Sequence, residues 1–311
     1  MTPAQTPKTS FDPGLTTQYA GPLKRTVNKD GSMNVHRRGI KSLTGNLYLH
    51  LINMSWPRFL ALVAIAYLVL NCAFATIYRG LGPDALHATD RDLGLGEFAR
   101  AFFFSVQTLT TVGYGAVYPH GTAANAMASL EAAFGLMGFA LATGLLFARF
   151  SRPTAKLVFS DGMVVAPYRE MTSLQFRLAN QRRNVLMEVS ADMMLMMVEA
   201  GPNGELRRSF KELSLERKSV FFLALTWTIV HPIDENSPLW GKTREDLERA
   251  QAELIILIKG FDDTFSQVVH SRYSYRWDEI EWSAKFVPAF FPAPEGHMVL
   301  DVAKVGEIAR V

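Results

Sequence analysis

Thr110-Thr111-Val112-Gly113-Tyr114-Gly115 is the stretch around which the rest of the chain is organised. Its two glycines alternate with ordinary residues, and glycine enters the region of positive φ at little cost. Such alternation allows a backbone that is neither helix nor strand, in which successive carbonyls can turn toward one side. A turn in a soluble protein would use the same residues, so the flanking sequence has to separate the two interpretations.

The flanks of this stretch are apolar. An apolar segment of about a dozen residues, 98–110, leads directly into it, which is roughly half of the ~20 residues that a membrane-spanning helix needs. Longer apolar runs, 56–78 and 122–150, lie on either side. Irregular backbone is tolerated at membrane depth only where protein or a watery cavity shields it. We therefore expect two spanning helices, with segment 98–110 as a re-entrant pore helix between them.

Residues 111–115 match the Thr-Val-Gly-Tyr-Gly loop of potassium channels, a motif that we recognise rather than derive. In those channels four such loops around one axis replace the water shell of a dehydrated potassium ion with backbone carbonyls. The expected potassium ligands are Thr111, Val112, Gly113 and Tyr114, and Gly115 completes the selectivity filter. The Thr111 hydroxyl would add a further ligand layer at the inner end.

Composition limits the function classes. The chain has 311 residues, 49% of them hydrophobic, and a net charge of only +3, which suits a membrane part joined to a soluble part and gives no support to nucleic-acid binding. The single cysteine, Cys72, cannot form an intrachain disulfide. Residues 1–40 are polar, and we expect a flexible cytoplasmic N-terminal tail. The sequence has no phosphate-binding loop, zinc-ligand cluster or nucleophile elbow, so we expect no enzyme and no cofactor.

Basic residues border the apolar unit on one side. Segment 41–55 has apolar residues at helical spacing but is too short and too polar to span, so we expect an interfacial helix; a surface helix of the soluble part is the alternative. The positive-inside rule puts both termini in the cytoplasm. The same charges are candidates for binding anionic phospholipids, although topology alone explains them equally well. These candidates are Arg37, Arg38, Lys41, Arg149, Arg152 and Lys156.

Three side chains near the filter have two interpretations each. Phe147, near the inner end of the second span, would form an apolar constriction in four converging helices, or would pack against lipid. Glu131 is the one carboxylate in that span, and we expect it to support the pore helix from behind rather than to act on the ion. Gln107 either bonds to the back of the filter or is an ordinary packed amide.

Residues 151–311 have a different character. Short apolar or alternating runs are separated by turn signals such as Asp161-Gly162, a pattern that predicts an antiparallel β-sandwich. The stretch Thr243-Arg244-Glu245-Asp246 predicts a capping box that opens a short helix. We expect the run Met193–Met197 in the core rather than at a metal site, because no histidine or cysteine joins it.

Several motifs together resemble the prokaryotic inward-rectifier potassium channels, the KirBac family, over about residues 40 to 300. They are Ser55-Trp56-Pro57, Ala101-Phe102-Phe103-Phe104-Ser105-Val106-Gln107-Thr108, Phe147-Ala148-Arg149-Phe150, Arg152-Pro153-Thr154-Ala155-Lys156, Arg177-Leu178-Ala179-Asn180 and His231-Pro232-Ile233-Asp234-Glu235-Asn236-Ser237-Pro238. The resemblance implies a membrane α plus all-β fold class, in a homotetramer. Its parts are a tail (1–40), a slide helix (41–55), a transmembrane pore domain (56–150) and a cytoplasmic immunoglobulin-like β-sandwich (151–311).

The resemblance also implies roles for single residues. Phe147 corresponds to the aromatic gate at the inner-helix crossing, and Gly135 to a hinge. Phe139 lines the cavity where strongly rectifying relatives have an acid, which implies weak rectification. Glu188 and Asp263 match acids that relatives direct into the cytoplasmic vestibule. Mg²⁺ or polyamines as pore blockers, sensitivity to phosphoinositides and a bacterial inner membrane are further implications.

Two functions of different classes are consistent with these features. The first is passive, selective potassium conduction, gated at the inner-helix crossing and modulated by the cytoplasmic domain and anionic lipid. The alternative is a membrane-anchored binding protein, in which the β-sandwich recognises a partner and the pore does not conduct.

Overall fold

The chain divides into two compact units. The structure is a computed structural model, and it describes residues 14–19, 21, 25–36, 38–39, 43–88, 96–151, 155–201 and 203–311. One unit is Gly39–Arg152, which we call the pore unit. The other combines Met1–Arg38 with Pro153–Val311, and we call it the β unit.

Four helices build the pore unit: α1 (Leu43–Asn53), α2 (Trp56–Gly80), α3 (Glu97–Leu109) and α4 (Gly121–Phe150). The ends of α2, α3 and α4 lie within two residues of the predicted ends. Among the described residues, α2 and α4 are the helices long and apolar enough to cross a membrane, with mean hydropathies of 2.3 and 1.7. Most of their apolar surface is exposed in the single chain, which fits a lipid environment better than the core of a soluble protein.

The re-entrant arrangement is visible in how α3 packs. It lies against both long helices, and Phe104 meets the ring of Tyr78 edge-on at 5.1 Å between centroids. After the filter loop, strand β2 (Val117–Pro119) pairs antiparallel with β1 (Leu86–Ala88). This two-stranded ladder ties the segment that follows the filter to the segment that follows α2.

Two sheets build the β unit. Its elements are β3 (Leu157–Phe159), β4 (Met163–Tyr168), β5 (Met171–Asn180), β6 (Leu186–Ala200), β7 (Leu206–Glu212), β8 (Ser219–Leu223), β9 (Thr226–Ile233), α5 (Arg244–Arg249), β10 (Glu253–Asp262), β11 (Gln267–Arg276), β12 (Ile280–Trp282), β13 (Ala284–Phe286), β14 (Phe290–Pro292), β15 (Met298–Leu300) and β16 (Ile308–Arg310). One sheet has the strand order β11-β10-β6-β7 with β8 also on β6, and the other has the order β12-β4-β5-β3 with β9 also on β5. Pairing within them is antiparallel, with β4 and β12 parallel. The fold confirms the predicted β-sandwich.

The two sheets enclose one apolar core. Alternate residues of β10 are buried, as the period of two in a strand requires, whereas β5 is buried on both of its faces. Met193 and Met197 of β6 join this cluster, which confirms that the methionine run belongs to the core. Helix α5 begins at the predicted capping box, since the Thr243 hydroxyl accepts from the Asp246 amide and the Asp246 carboxylate accepts from the Thr243 amide.

Strand β9 of the β unit contains a buried histidine. His231, the first residue of the motif 231–238, is 2% exposed. Its Nδ1 lies 2.6 Å from the Ser214 carbonyl and its Nε2 lies 2.7 Å from the Ser237 hydroxyl. Burial lowers the pKa of His231 despite the nearby Ser214 carbonyl, so the folded β unit favours the neutral imidazole.

The prediction of a flexible tail over residues 1–40 is wrong for residues 25–35. Val27 is 2% exposed against the β unit. The carboxylate of Glu253 accepts hydrogen bonds from the Thr26 amide at 2.9 Å and the Thr26 hydroxyl at 2.8 Å, and the Ser274 hydroxyl donates to the Val27 carbonyl at 2.6 Å. Polar contacts order this segment, so its polar composition was not a sufficient reason to predict flexibility.

Charge pairs hold the same segment. Glu279 pairs with Arg25 and with Lys29, each at 2.7 Å. Burial raises the pKa of Glu279, but hydrogen bonds from Lys29 and the Arg276 amide, together with the Arg25 charge, outweigh it and lower the pKa overall. Glu279 is thus an anionic anchor for the N-terminal segment.

Candidate functional site

The loop of residues 111–115, the predicted filter, has an alternating backbone. Thr111, Gly113 and Gly115 have positive φ angles of 59°, 56° and 80°, while Val112 and Tyr114 between them do not. This alternation of sign is the geometry that can turn successive carbonyls toward one side. A positive φ is costly for a β-branched residue, about 1–3 kcal/mol, and such outliers cluster at functional sites. Thr111 is therefore the residue whose backbone most clearly marks the loop as specialised.

The amides of the loop point back into the pore helix. Thr111 N donates to the Thr108 carbonyl at 3.0 Å. Val112 N and Gly113 N both approach the Gln107 carbonyl, at 2.9 and 3.4 Å. Gln107 thus contacts the back of the filter through its backbone carbonyl. These bonds attach the loop to the last turn of α3 and leave the loop carbonyls to be directed elsewhere.

A buried carboxylate ties the pore helix to both spanning helices. Glu131 of α4 is fully buried. It accepts a hydrogen bond from the Ser105 hydroxyl of α3 and another, at 2.7 Å, from the Tyr78 hydroxyl of α2. The structure therefore gives Glu131 the expected supporting position behind the pore helix.

Asn71 extends this network, and sequence reasoning missed it. Its Oδ1 lies 3.1 Å from the Ser105 hydroxyl, and its side-chain amide donates to the Tyr67 carbonyl at 2.7 Å. Buried polar groups in a low dielectric must be satisfied, and removing one partner costs about 1–3 kcal/mol. A polar residue in the middle of an apolar span was the signal that could have revealed Asn71.

Gly135 is a close-packing position. It is buried, and a Cβ added there would lie 2.1 Å from the Leu109 carbonyl oxygen at the end of α3. Helix α4 continues without a break through this residue. The structure thus supplies a packing reason for glycine at 135, independent of the predicted hinge.

The two aromatic candidates farther along α4 are exposed in the single chain. Phe139 is 74% exposed and Phe147 is 72% exposed. The packing of the pore unit therefore leaves both side chains largely uncovered.

Arg149 makes contacts that the sequence did not predict. Its guanidinium donates to the carbonyls of Leu51, Ile52 and Met54, the last at 2.6 Å, and lies over the rings of Trp56 and Phe59 at 4.7 and 4.5 Å. Carbonyls at a helix C-terminus lack partners within the helix and carry partial negative charge. Arg149 therefore clamps the end of α4 to the end of α1, a structural role beside which its binding of lipid stays a prediction.

The remaining basic candidates divide into two groups. Arg38 and Lys156 are exposed. Arg37, Lys41 and Arg152 lie outside the described residues.

Glu188 and Asp263 lie at the same end of one sheet. Glu188 is exposed in β6 with a φ of 48°, and Asp263 is exposed in the turn after β10. The register pairs Leu186 with Asp262, which brings the two strand ends together. Asp262 itself is buried and accepts a hydrogen bond from the Asn184 side chain at 2.8 Å, a contact that sequence reasoning missed.

Known proteins are similar to this chain along both units. The family described as "Ion channel" matches residues 62–152, and "Inward rectifier potassium channel C-terminal domain" matches residues 157–311. Inward rectifier potassium channel Kirbac3.1 of Paramagnetospirillum magnetotacticum is 39% identical over 288 residues, 92% of this chain and 96% of the relative. Two human proteins are more distant. G protein-activated inward rectifier potassium channel 3 is 29% identical over 93% of this chain and 78% of its own, and ATP-sensitive inward rectifier potassium channel 11 is 26% identical over 92% and 78%.

Proposed function

This chain belongs to the family of prokaryotic inward-rectifier potassium channels, and we propose that loop 111–115 is its selectivity filter. The protein is a potassium channel and not an enzyme; potassium is the permeant ion and no cofactor is needed. We assign the potassium ligands to the carbonyls of Thr111, Val112, Gly113 and Tyr114. The observation that carries this assignment is the alternation of φ sign along the loop, because ion sites made of carbonyls require them to face one axis.

The channels of this family are oligomeric membrane proteins, and we propose a homotetramer here. One loop supplies only part of the ligand shell that a dehydrated ion needs, and four loops around an axis complete it. Val112 and Tyr114 are 52% and 78% exposed in the single chain. A filter residue exposed at membrane depth needs shielding by protein, which neighbouring copies would provide.

Gating is assigned to the inner end of α4. Four copies of Phe147 on converging helices would form an apolar constriction that closes by dewetting. Its exposure in the single chain supports this role, since nothing in the pore unit covers it to any large extent. Phe139 would line the cavity above. Because it brings no carboxylate, we propose only weak rectification by Mg²⁺ or polyamines. Gly135 stays the proposed hinge, with close packing as the competing explanation.

Modulation is assigned to charged residues outside the spans. Arg38 and Lys156 are exposed and so are available to anionic phospholipids, with Arg37, Lys41 and Arg152 as candidates from sequence alone. The acids Glu188 and Asp263 share one sheet end and suit a cation path through the β unit. We propose that this unit and both termini lie in the cytoplasm and that the pore unit lies in the cell inner membrane, because basic residues border the spans on that side.

The test is potassium flux into liposomes that hold the purified protein. Potassium entry that barium blocks, with little sodium entry, is the expected result. Gly113→Asp should abolish the flux, because it puts a side chain and a charge into the carbonyl column. Gly121→Asp is the matched control: Gly121 also has a positive φ, 78°, with open space around it, but lies outside the loop 111–115.

Flux that survives Gly113→Asp in a verified oligomer would contradict the filter assignment. Absence of flux in every lipid composition tested would instead support a membrane-anchored binding protein whose pore does not conduct.

A further inference from the structure

We propose that His87 and His120 form a binding site for a divalent transition-metal ion, such as Ni²⁺ or Zn²⁺, on the two-stranded ladder next to the filter loop. The inference does not depend on potassium conduction. It follows from the way this ladder brings two imidazoles together.

The backbone holds the two histidines on one face. In the β1–β2 ladder His87 is opposite Tyr118. The His120 amide donates to the Ala85 carbonyl at 2.9 Å, which continues the pairing by one more step. Side chains alternate between the faces of a strand, so His87 and His120 lie diagonally on the same face, within reach for long side chains.

The two rings are already in contact. Their centroids are 4.3 Å apart and their planes differ by 10°. The ring of Tyr118 meets His87 from the side at 6.0 Å. His120 is exposed and His87 is half-buried, so an ion can reach the pair from solvent.

This spacing suits a shared metal ion. Imidazole nitrogens bind Zn²⁺ at about 2.0–2.1 Å, which puts two of them about 3.4 Å apart in a tetrahedral site. In the stacked arrangement the nitrogen lone pairs of the two rings lie in nearly parallel planes, so both side chains must turn about χ2 before one ion can bind both. This terminal torsion has a broad, shallow profile, which makes the turn easy for side chains that solvent reaches. Main-chain hydrogen bonds already fix the backbone of both residues, so binding of the ion costs little backbone entropy.

The ligand set defines the class of ion. Among the described residues no group of three or more His, Cys, Asp or Glu side chains converges, so the two imidazoles are the ligands that this part of the chain supplies. Imidazole favours Cu²⁺, Ni²⁺ and Zn²⁺ over the oxygen-seeking Mg²⁺ and Ca²⁺. We therefore expect transition-metal selectivity and an affinity below that of a three-ligand site.

The experiment is titration calorimetry of Ni²⁺ into the purified full-length channel, free of any histidine tag. Wild-type protein should show saturable binding of about one ion per chain. His87→Gln and His120→Gln should each weaken it at least tenfold, since even outer-shell partners of a metal are worth about 10–100-fold in affinity. The matched control is His297→Gln, an exposed histidine of the β unit that pairs with Glu295 at 3.5 Å, and it should bind like wild type.

Absence of saturable binding to wild-type protein would overturn the proposal, as would binding that persists unchanged in both His87→Gln and His120→Gln. A second measurement guards against variants that fail to fold. Electron paramagnetic resonance of the wild-type protein with one Cu²⁺ per chain should show coupling to two nitrogens. A spectrum with oxygen ligands only, or with one nitrogen, would equally refute a site shared by the two histidines.

Discussion

Gly135→Ala should disrupt the pore, because position 135 lies against the end of the pore helix. A Cβ there would be 2.1 Å from the Leu109 carbonyl oxygen and 2.9 Å from its carbon. Carbon and oxygen in contact need about 3.3–3.6 Å, so α3 and α4 would have to separate by more than about 1 Å. The atoms to be moved belong to backbone, which gives way less easily than the tip of a side chain.

The loss of stability from this close contact is partly offset by the higher helix propensity of alanine. Overpacking of this kind destabilises the folded protein by about 1–3 kcal/mol, whereas replacing glycine by alanine inside a helix stabilises it by about 1 kcal/mol. The net loss of stability is therefore at most about 2 kcal/mol. Flux should suffer more, because Leu109 directly precedes Thr110 and the filter loop, so the displacement reaches the ion sites.

Two other glycines of α4 provide the control. Nothing lies within 4 Å of a Cβ added at Gly138 or at Gly144. Gly138→Ala and Gly144→Ala should therefore unfold at wild-type temperature or slightly above it, and both should conduct. Thermal unfolding of the purified protein and potassium flux into liposomes measure the two effects.

The outcomes separate packing from a hinge. Gly135→Ala with wild-type stability and wild-type flux would refute the packing argument. Altered flux with a thermal stability equal to that of Gly138→Ala would point to the hinge instead, because both variants gain helix propensity and a hinge needs flexibility and not close contact. Equal damage from Gly138→Ala would show that alanine in α4 is harmful for a reason unrelated to Leu109.

Three further outcomes follow from other parts of the molecule. Phe147→Ala should raise potassium flux by widening the apolar constriction, and unchanged single-channel behaviour would remove Phe147 from the gate. Arg149→Gln should lower thermal stability by about 1.5–3 kcal/mol, since carbonyls of α1 lose a charged donor, whereas Lys156→Gln should alter only the phosphoinositide dose-response. For wild-type protein, the unfolding temperature should fall as pH drops below about 6.5, because the unfolded chain binds a proton that buried His231 resists. His231→Gln should flatten that part of the pH profile; an identical slope in both proteins would contradict the assignment.

Much of the pore was predictable because its determinants are local in sequence. The glycines at 113 and 115 predict positive φ angles, and the lengths of the apolar runs predict which segments span the membrane. Thr111 shows the limit: its φ of 59° is unfavourable for a β-branched residue and no propensity suggests it. Its conformation follows from the hydrogen bonds between the loop amides and the last turn of α3, which exist only after the helix has formed.

Contacts between elements distant in sequence were not predictable. Arg149 follows an apolar run, and the positive-inside rule explains such a charge without any specific partner. The carbonyls that it binds belong to Leu51, Ile52 and Met54, about a hundred residues earlier in the chain. The spacing of residues along α4 cannot show that the end of α1 lies within reach of Arg149. The charge pattern therefore predicted the side of the membrane on which Arg149 lies, but not its hydrogen bonds to α1.

The N-terminal segment shows why polar composition alone is a poor guide to disorder. Composition measures how much apolar surface a segment can bury, and by that measure residues 25–35 have little reason to fold. The reason that the segment is ordered lies in the β unit. Glu253 is only 4% exposed, and burying a carboxylate without hydrogen-bond donors costs free energy. Thr26 and Val27 supply amide and hydroxyl donors to it, and Arg25 and Lys29 supply charge to Glu279. A polar segment is thus ordered when it supplies hydrogen-bond donors to acids that are distant in sequence. The sequence does not show this, because the acid is buried only after the sheet has formed.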